Sequence, residues 1–166
     1  MASSLPVSLF ALMAFVSCHA MPPQAPPATV DQSAVTAASI TEISLERRCF
    51  GCNREGKVTF RRAGTATRVV FGNARAGTAD RKSSATLPGG AFEELAAAIV
   101  SERFFDLRDE YRDPAIADGE SSVLTVTAGG RQKPVLNRNA MAPASFQRLE
   151  SRIDALADRL TWRLAP

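Results

Sequence analysis

Hydrophobic and polar positions alternate along this chain with a period that changes several times, and each change marks an element. From Ile40 the period is two. In I-T-E-I-S-L-E-R, Ile43 and Leu45 point one way and Glu42, Ser44 and Glu46 the other, as in a half-buried strand. Further on, K-V-T-F-R-R and T-A-T-R-V-V-F flank Ala63-Gly64, which predicts a hairpin with Gly64 supplying the positive φ of its turn. By the same alternation Val58 and Phe60 face inward, and Lys57, Thr59 and Arg61 face out together. The stretch N-A-R-A-G-T-A-D-R-K-S-S carries no such pattern and is predicted to be loop. At Leu87 the period becomes helical. Pro88 opens a helix with Phe92, Leu95, Ala96 and Ile99 on one face, and Glu93 and Glu94 sit favourably in its first turns. It runs into F-F-D-L-R-D-E-Y and an acidic loop. A second hairpin follows, S-S-V-L-T-V-T-A and R-Q-K-P-V-L-N-R around Gly129-Gly130. Pro134 cannot donate to a ladder, so its strand is an edge or is bulged there. A last helix, from about Pro143, carries Phe146, Leu149, Ile153, Leu156 and Leu160 in one stripe, which faces a core or, in the rival reading, a dimer seam. The predicted class is α+β. It is a single domain with an antiparallel sheet of about five strands, in the order β-β-β-α-β-β-α, and two helices packed on one face.

This domain is expected to cover residues 40–166, about one domain's length and enough to bury a core unaided. The residues before it read differently. Leu5 to Val16 is an apolar run in the range of an export-signal core and too short to span a bilayer, although M-A-S-S-L-P has no Lys or Arg. Residues 1–20 are therefore expected to be a signal peptide. In F-V-S-C, Cys18 follows a small residue at the end of the run and resembles the acylated cysteine of a bacterial lipobox. Ordinary cleavage after Ala20 is the alternative. Residues 21–39 are rich in Pro, Ala, Ser and Thr and are expected to form a disordered spacer.

Several short motifs, in order, resemble a bacterial family termed domain of unknown function 6438. They are E-R-x-C-F-G-C, a hairpin, F-F-D-L-R-D-E-Y, an Asp-containing loop, a strand pair around Gly-Gly, P-x-x-F-x-x-L-E-x-R-I-D, and a late Trp162. The family pattern C-F-G-T-C-P-x-Y is shortened here. The Thr is missing, and Asn53 and Glu55 stand where the Pro and Tyr would be. The loop reads A-D-G-E-S where the family tends toward T-D-A-P-T. Cys49, Phe50, Gly51, Cys52, Tyr111 and Asp118 match the pattern. The resemblance implies the fold and brings no activity with it.

The residue inventory restricts the chemistry. The only His is His19, in or beside the leader, so the domain lacks Ser-His-Asp and Cys-His nucleophile arrangements and the commonest transition-metal ligand. Two thiols without a partner pair do not make a structural zinc site, and no phosphate loop or dinucleotide fingerprint is present. No metal or cofactor is expected. The C-x-x-C spacing of Cys49 and Cys52 suits a thiol-disulfide oxidoreductase, in which a helix N-terminus stabilises the first thiolate. Here N-R-E-G-K-V-T-F leads into a strand instead, although Arg47, Arg48 and Arg54 could lower a thiol pKa. The preferred reading is a disulfide that pinches the turn between the first two strands, a closure worth about 2 kcal/mol. In an exported protein such a bridge persists. Asp106, Asp109, Glu110, Asp113, Asp118 and Glu120 offer paired carboxylates for a hydrolase or a weak Ca²⁺ site, but they read better as solvated loop charge.

Charge is unevenly distributed. Residues 47–86 hold ten Lys or Arg against two acids, and residues 91–120 hold nine acids against three Arg. Arg61, Arg62 and Arg68 are thus candidates for a surface that meets an anionic partner such as lipid or lipopolysaccharide, with nucleic acid not expected. The competing expectation is that these arginines contact Asp106 to Glu120 across the fold. Together these features point to an exported cell-envelope protein on the periplasmic side of the outer membrane. It is read as a non-enzymatic binding or structural module anchored as a lipoprotein. The alternatives are a soluble periplasmic location and a thiol-disulfide oxidoreductase using Cys49 and Cys52.

Overall fold

A computed structural model describes residues 35–49, 55–116 and 119–165. The expected leader, Cys18, most of the expected spacer, Cys52 and Asp118 lie outside the described residues. The architecture is α+β, with two helices and a single sheet. The strands are β1 (Ile40–Arg48), β2 (Gly56–Arg61), β3 (Thr65–Val70), β4 (Arg81–Thr86), β5 (Glu110–Tyr111), β6 (Ser121–Ala128), β7 (Arg131–Arg138) and β8 (Arg163–Leu164). The helices are α1 (Ala91–Ser101) and α2 (Ala144–Asp158). The sheet order is β5-β7-β6-β1-β2-β3-β4-β8. All pairings are antiparallel except β5 with β7.

Both predicted hairpins form. In the first, Gly64 takes φ 81° and its N–H donates to the Arg61 carbonyl. In the second, Gly129 and Gly130 both have positive φ and directly join Ala128 to Arg131, the geometry of a two-residue turn. Pro134 pairs with Thr125 on one side, and β5 covers only Leu136 and Asn137 on the other. The missing N–H therefore falls on open edge, as the proline requires.

The sheet has eight strands and not five, because three strands escape the apolar alternation. β4 begins inside the stretch expected to be loop and runs two residues past its end. Its inward positions are Ser83 and Ala85, too small and polar to register as a pattern, yet its whole length pairs with β3. β5 and β8 are two residues each, shorter than any periodic signal, and form only where the fold brings them to a sheet edge. A further departure lies in β1. The register shifts between Ile40 and Glu42, so Thr41 is bulged and Ile40 joins Ile43 and Leu45 in the core.

One face of the sheet and the two helices enclose a single core. Ile43, Leu45, Val58, Phe60, Leu124, Val126 and Val135 pack there with Phe92, Leu95 and Ile99 of α1, and with Phe146, Leu149, Ile153 and Leu156 of α2. The α2 stripe thus faces the core, and Leu160, just past the helix, is buried with it. Arg148 of α2 grips Glu102, at the end of α1, with bonds of 2.9 and 2.6 Å, and this guanidinium holds the Glu102 carboxyl below its usual range.

β2, the strand that follows the cysteine stretch, approaches β3 closely at Gly56, which starts β2 at φ 153°. A Cβ there would drive into the Val69 carbonyl of β3. Gly56→Ala is therefore expected to cost about 3 kcal/mol or more, through strain and collision together. Thermal unfolding measures this, and a loss below about 1 kcal/mol would mean that β3 can yield at that point.

Candidate functional site

Strand alternation delivers one charged residue to the inward phase of β1. Arg47 follows Ile43 and Leu45 on the core face, where a lone guanidinium would be costly to desolvate. Its neighbours answer that cost. Nη1 and Nη2 donate to the two oxygens of Asp154 at 2.8 and 3.0 Å, and Glu150 stands 3.7 Å away. Glu150 and Asp154 are one turn apart on α2, each beside a residue of the buried stripe, so the helix presents both to the sheet. Ser122, buried opposite Arg47 on β6, favours the charged form of the Glu150 carboxyl. Burial pushes the Glu150 carboxyl above its usual range, against the opposing pulls of Ser122 and Arg47.

A second arginine occupies the inward phase of β3. Arg68 lies opposite Val58, and its guanidinium stacks 4.6 Å from the centre of the Trp162 ring. Trp162 is fixed in turn by its indole N–H, which donates to the Ala157 carbonyl at 3.0 Å. The buried Nε of Arg68 makes no hydrogen bond. Between these two arginines and α2 lies a cavity of about 140 Å³, lined in part by Gly56, Val58, Asp154, Ala157 and Asp158. It is small and carries both signs of charge. It can seat water or a small polar group and is too small for a drug-sized ligand.

The cysteine stretch springs from this end of the sheet. Cys49 directly follows β1, is half-buried and is engaged, while Phe50, Gly51 and Cys52 lie outside the described residues. The two cations before Cys49 are committed elsewhere: Arg47 as above, and Arg48 to Glu46 at 2.9 Å and to the face of Phe71. The chain re-enters at Glu55 and passes straight into β2.

The three candidate arginines do not share one surface. Arg61 is exposed on the opposite face and pairs with Glu42 at 2.9 Å. Arg62, in the turn, folds back onto the Ile40 and Ala37 carbonyls and over the Phe92 ring, with Glu93 at 3.4 Å. Arg68 is on the core face. Among the described residues none of these pairs with the acidic stretch. Asp106 binds Arg103, Asp109 binds Lys133, and Glu110 binds Arg112. Asp113 accepts a hydrogen bond from the Ala115 N–H. These carboxylates therefore disperse, and among the described residues no group of three or more His, Cys, Asp or Glu is placed to hold a metal. Tyr111, in β5, packs on the core, with its hydroxyl accepting from the Arg108 N–H at 3.1 Å and the Arg108 guanidinium over its ring.

The network around Arg47 makes a pH-dependent forecast. A raised carboxyl pKa in the folded state means that the stability contributed by Glu150 is fully present below its unfolded value and is lost as pH rises through the folded value. Glu150→Gln keeps the shape without the charge. The variant is expected to unfold at an equal or higher temperature than the wild type at pH 7, and the difference should vanish below about pH 4.5, the ordinary value for glutamate. A variant less stable at pH 7, by the same melting measurement, would show that the charged form is favoured by its surroundings.

The residues that meet here come from separate motifs of the chain. Arg47 belongs to E-R-x-C-F-G-C, Glu150 and Asp154 to L-E-x-R-I-D, and Trp162 is the late tryptophan. No curated protein and no solved structure matches the chain. A family model described as Domain of unknown function (DUF6438) matches residues 41–157, from the first residues of β1 almost to the end of α2, and the chain belongs to that family.

Proposed function

We propose that this protein is a non-enzymatic module of the bacterial cell envelope, exported by its leader and held at the membrane through acylated Cys18. In this reading Cys49 and Cys52 form a structural bridge. The observation that carries it is the commitment of Arg47 to the α2 carboxylates. A thiol oxidoreductase needs a stabilised thiolate, supplied by a helix N-terminus or a free nearby cation. Arg47 and Arg48, the cations adjoining Cys49, are already paired, and the segment after the loop enters a strand; Arg54, the third candidate cation, lies outside the described residues. In this reading the pair closes a short loop between β1 and β2. That placement favours a staple over a redox centre.

Protein isolated from the envelope, alkylated before and after reduction, tests this. The expected result is one Cys49–Cys52 pair that alkylates only after reduction, with negligible turnover in an insulin-reduction assay. Free thiols in fresh material would remove the staple, and insulin reduction at rates typical of thiol oxidoreductases would install the enzyme reading in its place. Cys18→Ala should release the protein from the membrane fraction. If it does not, or if the mature chain starts at Met21, the anchor is wrong and the soluble periplasmic form stands.

A further inference from the structure

The helices cover one face of the sheet; among the described residues no helix packs on the other. Cross-strand register aligns Thr125, Ser44, Thr59, Thr67 and Ser84 across that face, ending at Arg163 of β8; Ser44 and Thr59 are buried, so the accessible hydroxyls are Ser84 and, in part, Thr67 and Thr125. Cations flank the row. Lys57 and Lys82 lie on its one side with Glu46, and Arg61 lies on the other with Glu42. Glu42 and Glu46 are occupied by Arg61, Lys57 and Arg48. Lys82 and Arg163 are exposed and join no ion pair among the described residues, so the face keeps an excess of positive charge at the β4–β8 side. A hollow of about 750 Å³ lies at this end of the sheet, lined by Thr67, Ser84 and Arg163 and, from the helix side, by Ala66, Arg159 and Leu160.

We propose that this open face is a docking surface for an anionic phospholipid bilayer. Hydroxyls and guanidinium groups are the donors that phosphate oxygens take, and the flanking lysines supply attraction without orientation. The apolar side chains on this face, Val69, Val123 and Leu136, are half-buried, which suits resting on headgroups and not insertion into acyl chains. The inference rests on the envelope location proposed above. If Cys18 is acylated, the chain from there to Val35 spans at most about 60 Å, so the domain samples the headgroup layer continually. The surface so defined differs from the arginine cluster expected from sequence. It keeps Arg61, loses Arg62 and Arg68, and gains Lys57, Lys82 and Arg163.

The test uses the full chain carrying Cys18→Ser, so that no acyl chain contributes and the result is independent of the anchor. Binding is measured to vesicles of phosphatidylcholine with and without phosphatidylglycerol. Binding is expected only to the anionic vesicles, weakening steeply as salt rises. Lys82→Ser with Arg163→Ser should reduce it on the order of 25-fold, since each basic residue near such a surface contributes roughly fivefold. Arg131→Ser with Arg152→Ser, which removes the same charge away from this face, should leave it nearly unchanged. Absence of binding to anionic vesicles, equal binding to neutral ones, or equal losses in the two double variants would each overturn the proposal. Failure of the acylation test alone would leave it standing.

Discussion

An arginine that strand alternation forces onto the core face organises this molecule. Arg47 cannot point to water without reversing the phase that buries Ile43 and Leu45. Its charge therefore has to be met inside, and Asp154 and Glu150 meet it from α2. Such a pair adds little net stability over an apolar substitute, while leaving either charge alone is costly. Its consequence is placement. It fixes which turn of α2 lies over which end of β1, and the chain leaving α2 then brings Trp162 onto Arg68 and β8 onto the edge of β4. Glu102 and Arg148 link α2 to the end of α1.

The resulting sheet has two unlike faces. One is closed by helices over apolar side chains, with its ionic residues gathered near the cysteine stretch. The other bears hydroxyls and paired charges. Strand alternation produces both from the same residues, so the basic segment that looks continuous in sequence is divided between them. Arg61 stands outside and Arg68 inside, because the hairpin register pairs Val58 with Arg68. The acidic segment is likewise taken up locally, by Arg103, Arg112 and Lys133.

Much of this architecture is legible in the sequence where large apolar residues set a period. β1, both hairpins, α1 and the α2 stripe all follow from it. What escapes has physical causes. β4 presents Ser83 and Ala85 to the core, and its position depends on backbone pairing with β3. β5 and β8 are too short to have a period, and their pairing is set by tertiary position. The site around Arg47 had a readable signal: a charged residue in phase with Ile43 and Leu45, and a second, Arg68, in phase with Ala66. Beside Cys49, however, the same arginine also fits a thiol-activating role. Its partners could not be found by spacing, since 107 residues separate Arg47 from Asp154.

A double-mutant cycle on Arg47→Met and Asp154→Asn, read by denaturant unfolding, tests the placement role most directly. The account predicts that each single change costs about 2 kcal/mol or more, and that the double variant loses less than the sum by well over 1 kcal/mol, beyond the range of exposed ion pairs. Additive losses, with a coupling below about 0.3 kcal/mol, would contradict it and leave α2 held by its apolar stripe alone.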